Sequence, residues 1–81
     1  MPYLDETIKQ ALDKGTIKPS EPGHLNYLFT KIALDYIKTN GEKYRRHNDI
    51  LGALDACAKE WYRRHTAPYE DAAIKRNGDV K

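Results

Sequence analysis

The sequence predicts an all-α fold, a small hairpin or bundle of three to four helices with a kink or break near Pro68. Three observations predict it. Apolar residues recur with a period near 3.6 in two long segments, turn-forming glycines follow these segments, and no stretch shows the strict alternation of a strand. A length of 81 residues is typical of one domain, so we expect a single helical domain over residues 1–81.

Residues 1–24 predict a short helix followed by a linker. The helix spans residues 5–14, with Asp5 as its candidate N-cap and Gly15 as its stop. Because a helix of about 10 residues is marginal by itself, we expect it to pack against the rest of the chain. Prolines and glycines over residues 16–23 favour an extended path instead of a helix.

Residues 25–76 predict the main helices. The second helix begins at Leu25 and ends before Gly41. Its apolar residues follow the i, i+3, i+4, i+7 pattern of an amphipathic helix, and they are Leu25, Leu28, Phe29, Ile32, Ala33, Tyr36 and Ile37.

The third helical region starts between Glu42 and Asp49, with Asn48 as a candidate N-cap. Its apolar stripe consists of Ile50, Leu51, Leu54, Cys57, Ala58 and Trp61. Pro68 either ends or bends this helix over residues 62–67, or it occupies the first position of a fourth helix over residues 68–76. Residues 77–81 are the predicted tail, in which Asn77-Gly78 stops the helix and residues 79–81 are expected to fray.

The two main stripes predict a thin core made of Leu25, Leu28, Phe29, Ile32, Ile37, Ile50, Leu54 and Trp61. A chain of this size buries only about 60–65% of its unfolded surface, which favours a homo-oligomer. We expect Cys57, the only cysteine, to be a small buried hydrophobic residue. Gly52 within a helix suggests a close helix–helix crossing.

Composition excludes several function classes. The net charge of +2 is too small to indicate nucleic-acid binding by itself. No apolar run approaches the roughly 20 residues that span a bilayer, and no secretory leader is evident, so we expect a cytoplasmic protein. The histidines lack metal-ligand spacing, and no cofactor motif occurs. We therefore expect neither a metal, nor a cofactor, nor catalysis.

A tetrapeptide, Tyr-Arg-Arg-His, occurs at positions 44–47 and again at 62–65. In a continuous α-helix, this separation of 18 residues amounts to five turns, so both copies share one face about 27 Å apart. If Asn48 caps the helix, the first copy lies in a loop and the alignment is lost. Arginine binds phosphate or carboxylate in a bidentate manner, and tyrosine stacks on bases. The pattern predicts an anion site or, alternatively, a solvated basic face.

A second cluster follows Pro68. Its acidic residues suit acid–base or metal chemistry, or alternatively stabilise a helix N-terminus; ion pairs with Arg63 and Arg64 are a further possibility. Together with the repeated tetrapeptide, this cluster supplies the candidate ligand- or partner-binding residues, namely Tyr44, Arg45, Arg46, Tyr62, Arg63, Arg64, Tyr69, Glu70 and Asp71.

Residues 25–80 resemble an uncharacterised family of short proteins from tailed phages and metagenomic sequences. The matching residues are Leu25-Asn26-Tyr27, Asn48, Ile50, Gly52, Leu54, Tyr62-Arg63-Arg64, Ala67-Pro68-Tyr69-Glu70-Asp71, Ile74 and Asn77-Gly78-Asp79-Val80, together with the start Met1-Pro2-Tyr3. The resemblance implies an accessory role in the cytoplasm of an infected host and implies no particular activity.

Three functions are compatible with these observations. The first is a non-enzymatic module that self-associates and engages a protein, such as a host protein. The second is a protein that sequesters a nucleotide or another phosphate ligand through its Arg and Tyr residues. The third, which the low net charge disfavours, is nucleic-acid binding.

Overall fold

The computed structural model describes residues 4–78, in which every regular element is a helix and none is a strand, so the predicted all-α fold class is confirmed. A π-helical turn, Tyr62–Thr66, connects the last two α-helices. The four α-helices are α1 Glu6–Lys14, α2 Pro22–Asn40, α3 Tyr44–Trp61 and α4 Ala67–Asn77. The chain forms two compact units: unit 1 ends at Lys43 and unit 2 begins at Tyr44.

Both ends of α1 match the prediction. The Oδ1 atom of Asp5 accepts a hydrogen bond from the backbone N–H of Ile8 at 3.0 Å, which caps the first turn. Gly15 follows the helix with φ of 75°, a left-handed conformation that favours glycine. The N–H of Thr16 then bonds to the carbonyl of Ala11 at 3.0 Å, closing the end of the helix.

The start of α2 corrects the predicted linker. The helix begins at Pro22, three residues before Leu25, so Pro22 and Gly23 are helical and not extended. Proline suits the first helical position because its fixed φ is helical and the N–H that it lacks would have no partner there. The predicted end at Gly41 is confirmed, with the Gly41 N–H bonded to the carbonyl of Ile37 at 2.7 Å.

The start of α3 also differs from one expectation. The helix begins at Tyr44, within the predicted range, but Asn48 lies inside it and is not its N-cap. Both copies of the tetrapeptide therefore belong to one uninterrupted helical run from Tyr44 to Asn77.

Pro68 neither ends the helical run nor starts a detached helix. It is the second residue of α4 and directly follows the π turn, in which the N–H of Ala67 bonds to the carbonyl of Tyr62, five residues earlier. In a regular α-helix the proline ring would clash with the carbonyl of Arg64. The wider π turn accommodates the ring, because it takes up one additional residue at this point.

The predicted core is wrong in most of its members. Among residues 4–78, the buried side chains are Leu12 and His24, with exposed fractions of 6% and 5%. Leu28, Ile37 and Ile50 are half-buried, whereas the exposed members of the predicted core are Leu25, Phe29, Ile32, Leu54 and Trp61. An amphipathic stripe identifies a face that favours burial, but burial also requires a neighbour to cover that face.

Two further expectations in unit 2 are corrected. Cys57 is exposed and not buried. A Cβ atom built on Gly52 would meet no atom within 4 Å, so no close helix crossing explains this glycine. The expected frayed tail at positions 79–81 lies outside the described residues. No helix among residues 4–78 is long and apolar enough to cross a membrane.

Candidate functional site

The two copies of the tetrapeptide lie on one helical run but do not form one site. Tyr44, Arg45 and Arg46 occupy the first turn of α3, about 27 Å along the axis from the second copy at a rise of 1.5 Å per residue. The Tyr44 ring is largely exposed. The Nε atom of Arg46 is buried without a hydrogen-bond partner. The first copy therefore contributes no assembled cluster of the predicted side chains.

The second copy forms the π turn, and its two arginines share one carboxylate. Glu60, near the end of α3, forms ion pairs with both Arg63 and Arg64. The carboxylate that pairs with these arginines is thus Glu60, three and four residues away on the same helical surface, whereas Glu70 accepts a hydrogen bond from Tyr62. All three side chains are well exposed, so each pair contributes at most about 1 kcal/mol.

Tyr62 and Glu70 connect the two sides of the π turn. The Tyr62 Oη atom donates a hydrogen bond to Glu70 Oε1 at 2.9 Å. This hydrogen bond and the charge of Glu70 raise the pKa of Tyr62 above its ordinary value, with a smaller effect from the charge of Asp71. Glu70 also lies in the first turn of α4, where a negative charge is favourable. Stabilisation of a helix N-terminus, one of the two interpretations of the acidic cluster, therefore explains the position of Glu70.

An aromatic cleft lies on the surface of unit 2. It has a volume of about 250 Å³ and is lined by Trp61, His65, Thr66 and Tyr69. The rings of Trp61 and His65 are in contact, with centroids 4.2 Å apart and planes inclined by 33°. The lining contains no carboxylate and no lysine or arginine. The cleft suits a flat, mostly apolar group.

Sequence reasoning missed three of the four lining residues, since only Tyr69 belongs to the predicted set. A signal was present in the spacing of ring-bearing residues at positions 61, 65 and 69. Residues four apart are neighbours on an α-helix surface, so this spacing places the three rings along one face, with a drift of about 40° per step. Pro68 was the additional signal, because it requires a distorted turn before it.

Unit 1 contains a small polar cluster where α1 packs against α2. The Tyr27 Oη atom lies 2.9 Å and 3.0 Å from the two carboxylate oxygens of Asp13. The Lys9 Nζ atom lies 6.0 Å from the centre of the Tyr27 ring. Partial desolvation and the hydrogen bond to Asp13 raise the pKa of Tyr27. The cluster fastens α1 to α2.

His24 is the buried polar residue of unit 1. Its Nδ1 atom accepts a hydrogen bond from the backbone N–H of Ser20 at 3.1 Å, which requires Nδ1 to be unprotonated. Its Nε2 atom lies 3.5 Å from Glu21 Oε2 without forming a hydrogen bond. The imidazole therefore fixes the segment before α2 against the first turn of that helix.

The outer face of α2 is an exposed apolar seam, the α2 seam, formed by Leu25, Phe29, Ile32 and Tyr36. Their spacing of four, three and four residues places them within an arc of about 60° on the helix surface. Tyr27, which contacts α1, lies about 160° from Phe29 by the same geometry, and α1 therefore covers a different face. The α2 seam follows the spacing of a two-heptad helix-pairing interface.

A family model described as "Domain of unknown function (DUF6899)" matches residues 1–80. The chain belongs to this family. The predicted resemblance to an uncharacterised family is confirmed to that extent, and the match also includes the first 24 residues. No curated protein sequence and no solved structure matches the chain significantly.

The geometry of this DUF6899 chain offers two kinds of recognition. The α2 seam in unit 1 supplies apolar surface for pairing with another helix, and the cleft in unit 2 supplies stacked rings. Among residues 4–78, no three histidine, cysteine, aspartate or glutamate side chains cluster in a way that suits a metal ion.

Proposed function

We propose that this DUF6899 chain is a non-enzymatic protein-interaction module that self-associates by pairing the α2 seam with that of a second copy. The observation that supports the proposal is the exposure of four large apolar side chains at helix-pairing spacing on one face of α2. Large exposed apolar patches on soluble domains mark interaction sites.

The energetic argument is that unit 1 buries little by itself. Taking a large apolar side chain from full exposure to full burial contributes about 1.5–3 kcal/mol. Ile32 is 68% exposed, and Leu25 and Phe29 are close to half exposed, so pairing releases a large part of that free energy at each position. Identical seams on two copies complement each other, as a two-fold symmetric interface requires.

A second copy is the occupant that this seam favours. Its residues repeat with heptad spacing, and heptad seams pair with helices of the same spacing. Lys31, Asp35 and Lys38 occur in α2 outside the seam, and such flanking charges keep an associating helix soluble.

The setting of the proposal is the cytoplasm of an infected host cell. It rests on the resemblance to short proteins of tailed phages, which implies an accessory role. In that setting, the self-associated module engages a host protein, with no membrane and no cofactor involved.

The test is sedimentation velocity across a concentration series from low to high micromolar. The wild type should show a concentration-dependent dimer, and Phe29→Glu should remain a monomer because a charge then lies in the seam. Leu34→Glu is the matched control, since Leu34 is exposed in the same helix but lies about 140° from Phe29.

Two results would contradict the proposal. The first is a wild type that stays monomeric at the highest concentration while its circular dichroism spectrum remains helical. The second is an oligomer in which Phe29→Glu and Leu34→Glu have equal effects, because association would then not depend on the α2 seam.

A further inference from the structure

We propose that His24 is a pH-sensitive latch of unit 1. Neutral His24 holds the segment before α2 against the first turn of that helix, and protonation of the imidazole releases the segment. Histidine is the side chain that ordinarily changes its charge between about pH 5 and pH 8. His24 lies outside the α2 seam, so the latch and the proposed self-association succeed or fail independently.

The His24 side chain makes the capping hydrogen bond at the N-terminus of α2. Glu21 precedes the helix, but its side chain makes no capping hydrogen bond, and the first turn contains no acidic residue. His24 is the third residue of the helix, and its Nδ1 atom accepts a hydrogen bond from the backbone N–H of Ser20 at 3.1 Å. In a capping box, a glutamate at this helical position accepts a hydrogen bond from the backbone just before the helix. His24 takes the role of that glutamate, with an acceptor that a proton removes.

Protonation of His24 and the hydrogen bond from Ser20 exclude each other. The bond requires the neutral tautomer in which Nε2 carries the proton and the Nδ1 lone pair is free. A second proton, taken up from solvent, binds at this lone pair and turns Nδ1 into a donor. Two N–H groups would then face each other at 3.1 Å, so the bond to Ser20 must break.

The surroundings of the imidazole also oppose a positive charge. His24 is 5% exposed, and burial of a charge costs free energy unless the charge is paired and hydrogen-bonded. The buried Nε2 atom has no hydrogen-bond partner. In addition, the first turn of a helix disfavours a cation, because the partial charge of the helix is positive there. We therefore expect the protonated ring to move away from its position against Ser20.

Glu21 is the group that pairs with the protonated ring. Its Oε2 atom lies 3.5 Å from the Nε2 atom of His24, and its side chain is 72% exposed. A small rotation toward Glu21 therefore gives the imidazolium a carboxylate partner at the edge of the solvent. The imidazole thus exchanges the backbone of Ser20 for the carboxylate of Glu21 when it binds a proton.

Other charged groups near this site are occupied elsewhere or lie farther away. The charged residues of α1, which packs against α2, and of the segment before α2, apart from Glu21, are Glu6, Lys9, Asp13, Lys14 and Lys18. Asp13 accepts the hydrogen bond of Tyr27, and Lys9 lies beside the ring of Tyr27. Within residues 4–78, the carboxylate at ion-pair distance from His24 is that of Glu21.

The test is a pH titration of the full chain by NMR, with ¹⁵N only in serine. Ser20 is the only serine, so the spectrum contains one amide resonance, which reports on the latch. From about pH 8 to about pH 5, this resonance should move upfield with the same midpoint as the ring protons of His24. The protection of the Ser20 N–H against hydrogen exchange should fall by roughly 2- to 13-fold, as the loss of one hydrogen bond predicts.

Three variants assign the transition. His24→Asn is the matched variant, because its Oδ1 atom accepts a hydrogen bond but binds no proton in this pH range, so the Ser20 resonance should not titrate. Glu21→Gln removes the partner of the imidazolium and should move the midpoint to lower pH by roughly 0.2–0.7 pH unit. His65→Asn, which removes a histidine of unit 2, should titrate as the wild type does.

The latch is overturned if the Ser20 resonance does not shift from about pH 8 to about pH 5 while the chain remains helical. A midpoint that differs from that of the His24 ring protons overturns it in the wild type alone, even if His24→Asn does not fold. An equal shift in folded His24→Asn overturns it as well, because another group then causes the shift. A midpoint that Glu21→Gln leaves unchanged or raises overturns the role of Glu21. The titration repeated on Phe29→Glu should give the wild-type result, whatever the outcome of the association experiment.

Discussion

The Tyr62 hydroxyl donates a hydrogen bond to the Glu70 carboxylate across the π turn, at a distance of 2.9 Å. The two residues are eight positions apart, with Tyr62 at the first position of the turn and Glu70 in the first turn of α4. The bond thus joins the two helical segments on either side of the distortion. The ion pairs of Glu60 with Arg63 and Arg64 lie at the same turn, so the charged side chains of these three residues are paired with one another.

This bond predicts a stability change at alkaline pH. The pKa of Tyr62 is raised above its ordinary value of 10.0 by the hydrogen bond to Glu70 and by the charge of Glu70. The contribution of the neutral phenol is therefore fully present below pH 10.0 and is lost as the pH rises through the raised pKa. Ultraviolet titration of tyrosinate should show that Glu70→Gln lowers the pKa of Tyr62.

Asp71→Asn is the comparison for this titration. The charge of Asp71 is the smallest of the effects that raise the pKa of Tyr62, so this variant should lower it less than Glu70→Gln does. The pKa of Tyr27, which Asp13 raises in unit 1, should be unchanged in both variants. Equal effects of Glu70→Gln and Asp71→Asn would contradict the hydrogen bond as the main cause.

Replacing Pro68 should relax the π turn. Pro68→Ala restores a backbone N–H and removes the ring that a regular α-helical turn excludes. The helical run should then become regular, and the free energy of unfolding should rise by up to about 3 kcal/mol. Thermal unfolding followed by circular dichroism measures the gain.

Pro22→Ala is the control for that experiment. Pro22 occupies the first position of α2, where no backbone N–H needs a partner, so the variant should change stability by less than about 0.5 kcal/mol. If Pro68→Ala melts at the same temperature as the wild type, proline is not the cause of the π turn.

Replacing each of two glycines by alanine should change the stability of the protein in opposite directions. Gly52 lies inside α3, and an added Cβ would meet no atom within 4 Å, so Gly52→Ala should stabilise the protein by about 0.8–1 kcal/mol. Gly15 has a left-handed φ of 75°, which an alanine side chain disfavours, so Gly15→Ala should destabilise the protein by about 1–2 kcal/mol. Urea unfolding of both variants measures the two changes. Destabilisation by Gly52→Ala would indicate that a partner covers this surface in solution.

Leu12 should be the most sensitive apolar residue of unit 1. It is 6% exposed and lies in α1, so Leu12→Ala should cost about 2–5 kcal/mol through lost burial and the cavity that remains. Leu34→Ala, at an exposed position of α2, should change stability by less than about 0.5 kcal/mol. Similar losses for both variants in thermal unfolding would show that Leu34 is covered in solution.

Local chemistry explains which features could be predicted. The Asp5 cap, the left-handed Gly15 and the stop at Gly41 depend on residues within one turn of the helix end, so the sequence alone reveals them. Proline was harder to interpret, because the same residue breaks a helix interior and suits a first turn. The structure resolves this for both Pro22 and Pro68, which lie in first turns.

By itself, the sequence determined that the regular elements within residues 4–78 are helices and where α1 and α2 stop, because periodicity and end signals act within a few residues. Only the tertiary structure decided that Leu12 and His24 are buried while Phe29 and Trp61 are exposed, because burial depends on which distant segment covers a face. It also decided that Trp61 and Tyr69 share a cleft, because a single hydrogen bond that spans five residues instead of four rotates every later side chain.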